Sequence, residues 1–171
     1  WDLAAHDIAI FNYWLDSCPM TVQAIGLNFL YEGKVDTASI FLCYPGGTHG
    51  VIHVSWVDAA KRRDIAVVGD QARLSFNDLD PEWLIIEEKG AILGGCADSF
   101  EDFKAQVRSG EVHRIHIPLE EPLKNLCKHF IACVERKEKP RTPGIGGQRV
   151  VRVLEAVSSS INREGVLVEV L

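Results

Sequence analysis

The spacing of hydrophobic and polar positions changes period along this chain. From Asp2 to Leu15 the apolar residues follow a helical repeat: Leu3, Ile10 and Trp14 share one side, and Ile8, Phe11 and Leu15 lie beside them. Cys18-Pro19 ends that segment, because proline lacks an N–H and disfavours helix in the residue before it. Strand patterns follow. Val22–Tyr31 is apolar on both alternating faces, with Val22, Ala24, Gly26 and Leu30 on one and Ile25, Leu27, Phe29 and Tyr31 on the other. Thr37–Tyr44, Thr48–Trp56, Arg63–Val68, Ala72–Phe76 and Trp83–Glu87 are short, rich in β-branched or aromatic residues, and bounded by Gly, Asp or Pro. Pro45-Gly46-Gly47 supplies the turn that folds Thr48–Trp56 back on Thr37–Tyr44.

The second half is less regular. Gly90–Gly110 carries Gly94-Gly95 and a short helix around Phe100–Val107, and Glu111–Ile117 reads as a further strand. Helical spacing then returns in Leu123, Leu126, Cys127, Phe130, Ile131 and Val134, and again in Val150, Leu154, Val157 and Ile161, with a Pro-rich loop between them. Val166–Val170 closes the chain as a strand. Many strands, few helices and no βαβ alternation predict an α+β fold: a mainly antiparallel sheet of about six strands with helices packed on one face. The other face of such a sheet is normally polar. The two-sided apolar character of Val22–Tyr31 therefore predicts a homo-oligomer, in which a second copy of the chain covers that face.

Composition narrows the classes. With 47% hydrophobic and 25% charged residues, the chain has the balance of a soluble globular domain. The longest apolar candidate, Ala9–Leu15, is interrupted by Asn12 and falls far short of the roughly 20 residues that span a bilayer. The net charge of -6, with Lys61-Arg62-Arg63 the one tight basic cluster, excludes a nucleic-acid binder, which needs a basic stripe along the phosphates. Five cysteines, an odd number without a CxxC pair, read as reduced thiols in a cytoplasmic protein. The first residue is Trp1 and the single methionine is Met20, so the expectation is a piece of a longer protein.

Most chemical motifs are missing. No GxGxxG follows a strand and opens a helix, so no cofactor-binding residues are assigned. Gly144-Ile145-Gly146-Gly147 follows a Pro-rich loop and reads as a helix-opening turn, with a phosphate cradle as the alternative. No metal site is expected. His49 and His53 are about 13 Å apart along a strand. His113 and His116 face opposite sides of theirs, and Cys127 and Cys133 diverge around a helix. There is no GxSxG nucleophile. Asp2 and His6 remain, four residues apart at a helix start. A carboxylate there can orient an imidazole and favour its charged form; a solvated pair is the competing reading.

The surroundings of that pair carry a resemblance. Trp1-Asp2-Leu3-Ala4-Ala5-His6-Asp7-Ile8 resembles the segment that opens the second domain of the Gfo/Idh/MocA oxidoreductases, whose members carry Asp-x-x-x-His here. That family includes glucose–fructose oxidoreductase, inositol dehydrogenase and nucleotide-sugar dehydrogenases. The likeness continues through Ser55–Ile65 and Val68-Gly69-Asp70, and resumes at Glu121-Pro122-Leu123, His129-Phe130-Ile131, Pro140-Arg141-Thr142, Val150–Ala156 and Gly165–Val168. Ala9 stands where many relatives have an acidic residue, and Pro143 where Asp or Asn is common.

The resemblance implies that residues 1–171 are a C-terminal catalytic, substrate-binding and oligomerisation domain with a glyceraldehyde-3-phosphate dehydrogenase-like fold. The N-terminal Rossmann domain, with its glycine loop and catalytic lysine, would lie outside this sequence. The reaction implied is oxidation of a hydroxyl of a sugar, nucleotide sugar or cyclitol with NAD or NADP, the cofactor being bound by the parent protein and not by this piece. His6 would take the proton, Asp2 would orient the ring or hold a neighbouring hydroxyl, and Lys61 or Arg63 would meet an anionic part of the substrate. A non-catalytic binding or oligomerisation module of the same fold is the alternative.

Overall fold

Helical and extended segments alternate as the residue periods dictate. The computed structural model describes residues 1–88, 91–92, 106–107 and 110–171. The elements are α1 (Ala4–Leu15), β1 (Thr21–Leu27), β2 (Thr37–Cys43), β3 (His49–Ser55), β4 (Asp64–Val68), β5 (Arg73–Asn77), β6 (Trp83–Glu87), β7 (Ala91–Ile92), β8 (Gln106–Val107), β9 (Val112–His116), α2 (Pro122–Arg136), α3 (Gly144–Asn162) and β10 (Val168–Glu169). By backbone contacts the chain divides into two units: Trp1–Ala59 with His129–Leu171, and Ala60–Lys128. No helix among the described residues is long and apolar enough to cross a membrane.

The first unit holds the core. Its antiparallel sheet has the order β10-β1-β2-β3. Register sets Val22 beside Leu42 and Gly50, and Ala24 beside Ile40 and Ile52, so alternate residues line one face. Those side chains are buried with Ile8 of α1 and Val153, Leu154 and Val157 of α3. Each large one removed from water contributes roughly 1.5–3 kcal/mol before the entropy cost of ordering. Small residues let the helices close on the sheet. A Cβ on Gly50 would lie 2.8 Å from the Phe11 ring, and one on Gly26 would lie 3.0 Å from Ile161. Asn12, which interrupts the apolar run of α1, accepts a hydrogen bond from the Tyr44 hydroxyl at 2.9 Å. Tyr44 is 2% exposed, and burial, with a smaller contribution from Cys18, pushes its phenol far above the ordinary range.

The opposite face of this sheet is apolar and open, as the two-sided pattern of Val22–Tyr31 requires. Ile25 is 57% exposed, Phe41 48% and Val51 62%. The strand itself stops at Leu27 and does not reach Tyr31. Asp36 Oδ2 accepts the N–H of both Phe29 and Leu30 at 2.6 Å, which takes those donors out of any ladder.

The second unit has its own antiparallel sheet, β4-β5-β6-β9. Arg73 Nη1 meets Glu87 Oε2 at 2.8 Å across two strands. The Trp83 ring meets His116 edge-on, with the Arg114 guanidinium 5.1 Å from its centroid. Residues 91–92 and 106–107 pair as a two-stranded ladder.

The antiparallel α+β expectation holds. The strands are shared between two four-stranded sheets and a ladder because the chain is turned off the first sheet after β3. There Trp56 N–H closes the ladder on Asp36 C=O at 2.8 Å, and Ser55 Oγ accepts the N–H of Val57 and Asp58. The helices on the first sheet are α1 and α3. The expected α2 forms, but Leu123, Leu126, Phe130, Ile131 and Val134 are exposed. The helix expected around Phe100–Val107 lies outside the described residues except for 106 and 107, which are extended.

Candidate functional site at the start of the first helix

Leu3 already has helical dihedrals (φ −76°, ψ −54°) and offers no side-chain cap. Asp2 therefore sits in the turn ahead of α1, while His6 lies in its first turn, with its N–H on Leu3 C=O at 3.2 Å. Both side chains are exposed, and no hydrogen bond or ion pair joins them. The carboxylate that His6 does influence is Asp7. Burial raises the Asp7 pKa above its ordinary value, and the charge of His6 partly offsets that effect. Sequence reasoning missed Asp7; its place beside His6 in the first turn, on the side of buried Ala4 and Ile8, was the available signal.

A cleft of about 480 Å³ opens beside Asp2. Trp1, Asp2, Asp36, Trp56, Ser158 and Asn162 help to line it. Trp1 Nε1–H donates to Ser158 Oγ at 2.9 Å, and that hydroxyl donates to Leu154 C=O at 2.9 Å, so the indole is fastened to α3. Asp36 Oδ1 is buried without a donor. Asp36 was not singled out in the sequence, since it belongs to no motif; Trp56 lies in the Ser55–Ile65 stretch that carries the resemblance but was given no role of its own.

The remaining predicted residues lie elsewhere. Lys61 and Arg63 belong to the second unit, where both are exposed; Arg63 Nη1 meets Asp78 Oδ2 at 3.2 Å. His49 and His53 stand on the open sheet face, with His53 Nδ1 3.0 Å from Ser39 Oγ. Gly144–Gly147 form the first turn of α3, with Gly146 N–H on Pro143 C=O. On α2, His129 Nε2 accepts the Arg141 N–H at 3.1 Å and lies 3.5 Å from Cys133 Sγ, a contact sequence reasoning did not find.

An antiparallel sheet carrying two helices on one face, with a cleft at the start of the first, defines an α+β fold, and solved structures share it. One is a UDP-N-acetylglucosamine 3-dehydrogenase from Acidithiobacillus ferrooxidans, 16% identical over 93% of this chain and 45% of that one, with a TM-score of 0.75. Another is an inositol dehydrogenase homologue from Azotobacter vinelandii in complex with NADH and myo-inositol, 23% identical over 98% and 48%, TM-score 0.70. A third is an oxidoreductase domain protein from Kribbella flavida, 16% identical over 99% and 49%, TM-score 0.77. The chain spans about half the length of these structures. No curated protein matches it by sequence. Residues 1–75 match the GFO/IDH/MocA C-terminal domain. The family resemblance read from Trp1–Ile8 onward is thus borne out over the stretch that contains Asp2, His6, Lys61 and Arg63.

Proposed function

We propose that this chain is the substrate-binding and catalytic part of an NAD(P)-dependent oxidoreductase that oxidises a hydroxyl of a sugar, nucleotide sugar or cyclitol. The observation that carries the reading is the exposed pair Asp2 and His6 at the start of α1, beside a cleft and inside the stretch matching the family. An imidazole titrates near neutrality, so His6 suits removal of the hydroxyl proton as the carbon is oxidised. Without a bond to His6, Asp2 is best suited to accept a hydrogen bond from a neighbouring substrate hydroxyl. NAD(P) supplies the hydride acceptor when bound. Gly144–Gly147 does not follow a strand, so this chain lacks a dinucleotide turn there, and the cofactor pocket is assigned to a Rossmann domain outside this sequence.

Lys61 remains the candidate for an anionic substrate group, whereas Arg63 already meets Asp78. The open sheet face is assigned to a homo-oligomer, and the free thiols Cys18, Cys43, Cys127 and Cys133 fit a cytoplasmic setting. That open face also favours the second reading, a non-catalytic binding or oligomerisation module. Turnover of the longer parent protein decides between them. His6→Ala should lower kcat by roughly 10²–10⁴-fold with unchanged cofactor affinity. Normal turnover in a folded His6→Ala protein across several pH values would remove His6 from the mechanism.

A further inference from the structure

We propose that the outward side of α2, at Phe130, Ile131 and Val134, is the seat on which the Rossmann domain of the parent protein docks. The proposal rests on the assignment of that domain to the parent and adds the surface that receives it.

Helix α2 is set with its faces reversed. A surface helix normally turns its apolar stripe inward and its polar side to solvent. Here His129, Ala132 and Cys133 are half-buried, whereas Phe130 is 68% exposed, Val134 65%, and Ile131 is exposed beside them. Phe130 and Ile131 lie four and three residues before Val134, so the three share one side. The inward side is held by a polar contact: His129 Nε2 accepts the Arg141 N–H at 3.1 Å, which ties the helix to the loop after it. Turning the stripe inward would break that bond. It would also find no room on the first core, which α1 and α3 fill and to which no α2 residue contributes.

Adjoining apolar side chains left in water mark a surface that another body covers. Copies of this chain are already assigned the open face of the first sheet. The matched structures point to a different occupant, since each holds about as much chain again as the half covered here. An N-terminal domain joins at Trp1, and the Trp1 Nε1–H on Ser158 Oγ fixes that junction against α3. Ser158 lies about 20 Å along α3 from Gly144, just past the loop that leaves α2, and a small domain is about 30 Å across. A domain tethered at Trp1 therefore reaches the end of α2. Residues 122–141 carry six cationic and two anionic side chains in a chain of net charge -6, so the flank of the seat is basic and calls for an acidic rim on the docking domain. An anionic lipid surface would suit the same charge and is one outcome of the test.

The test compares the 171-residue chain with the longer parent by amide hydrogen exchange and urea unfolding. Amides of residues 129–136 should exchange at least about tenfold more slowly in the parent. Phe130→Glu should leave the urea midpoint of the 171-residue chain unchanged, because the side chain is exposed there, and should lower that of the parent, where the carboxylate would be desolvated. Phe130→Leu should restore most of the loss. Equal exchange in the two proteins, or Phe130→Glu tolerated equally in both, would overturn the seat. Protection of residues 129–136 in the 171-residue chain that grows with its concentration would overturn it in favour of a second copy. Binding of that chain to phosphatidylserine–phosphatidylcholine vesicles, lost in Phe130→Glu, with the helix unprotected in the parent, would overturn it in favour of a lipid surface. The seat and the reaction fail separately. Lowered kcat in His6→Ala with Phe130→Glu harmless to the parent sinks the seat and spares the reaction. Normal turnover in His6→Ala with Phe130→Glu destabilising the parent alone does the reverse.

Discussion

Ser160 Oγ accepts the Ala24 N–H at 2.9 Å and donates to the Val166 carbonyl at 2.7 Å. The contact answers a specific need. Strand β10 pairs with β1 only at Thr21 and Val22, so the next outward-facing donor on that edge, Ala24 N–H, has no strand partner there. Ser160 is fully buried and supplies the missing acceptor, tying α3, β1 and the loop after α3 together. Ser160→Ala leaves the buried Ala24 N–H unpaired and removes the donor to the part-buried Val166 carbonyl, which should cost about 1–3 kcal/mol. Urea unfolding should show an earlier midpoint with an unchanged slope.

Gly50 faces Phe11 across the core of the same unit. With a Cβ only 2.8 Å from the ring, Gly50→Ala should destabilise by about 1–3 kcal/mol through overpacking. Phe11→Leu in the same chain should recover part of that loss. Thermal unfolding of the single and double variants checks both statements.

How far the sequence foretold this arrangement depends on the range of the interaction. Alternation along Val22–Tyr31 set Val22 and Ala24 on one face and Ile25 and Leu27 on the other, so the two faces were legible, but with both apolar it was the packing of α1 and α3 that selected Val22 and Ala24, with Ile40 and Leu42 of β2, for burial. Ser160 was not legible, because a serine beside the stripe Val150, Leu154, Val157 and Ile161 looks polar until the edge of β1 is seen above it. Asp36 was hidden for a similar reason: its role depends on where residues 28–36 turn back. The start of α1 was misplaced by two residues because Leu3 adopts helical dihedrals with no capping side chain to mark it. The pairing of β6 with β9 spans a long stretch of sequence, and no local pattern signals that these strands leave the first sheet.

The open face of the first sheet should drive self-association. Phe41 and Val51 are cross-strand neighbours at its centre. A carboxylate at either position would be desolvated without a partner in any interface there. Phe41→Glu should therefore shift the assembly toward monomer by at least about tenfold in dissociation constant while leaving the fold intact. Light scattering with circular dichroism tests this. A wild-type chain that is monomeric at high concentration would argue against the interface.

Asp7 should leave a pH signature on stability. Its folded pKa lies above the ordinary 3.8, chiefly through burial, so ionising it costs the folded state. That cost is absent below about 3.8, develops as pH rises through the raised folded value, and is constant above it. Relative to Asp7→Asn, the wild type should therefore lose stability across that window. The change should stay below about 1 kcal/mol, since the group is half exposed and solvent screens it. Urea midpoints at pH 3.5, 5 and 7 should show the gap between variant and wild type widening and then levelling.

Asp2 supplies the sharpest distinction between two kinds of catalytic partner. Had it been bonded to His6, replacing it would alter the imidazole's basicity and displace the acidic limb of the pH–rate profile. The structure shows no such bond; Asp2 stands ahead of the helix and lines the cleft, whereas His6 does not. In the longer parent protein, Asp2→Asn should therefore raise KM about tenfold or more, the usual scale for losing a charge-assisted hydrogen bond to substrate. The acidic limb should stay in place, and cofactor affinity should be unchanged. His6→Ala should do the opposite, abolishing that limb and lowering kcat with little effect on KM. Steady-state kinetics of both variants between pH 5 and 9 provides the comparison. A displaced limb with an unchanged KM in Asp2→Asn would show that the carboxylate acts through the imidazole and not on the substrate.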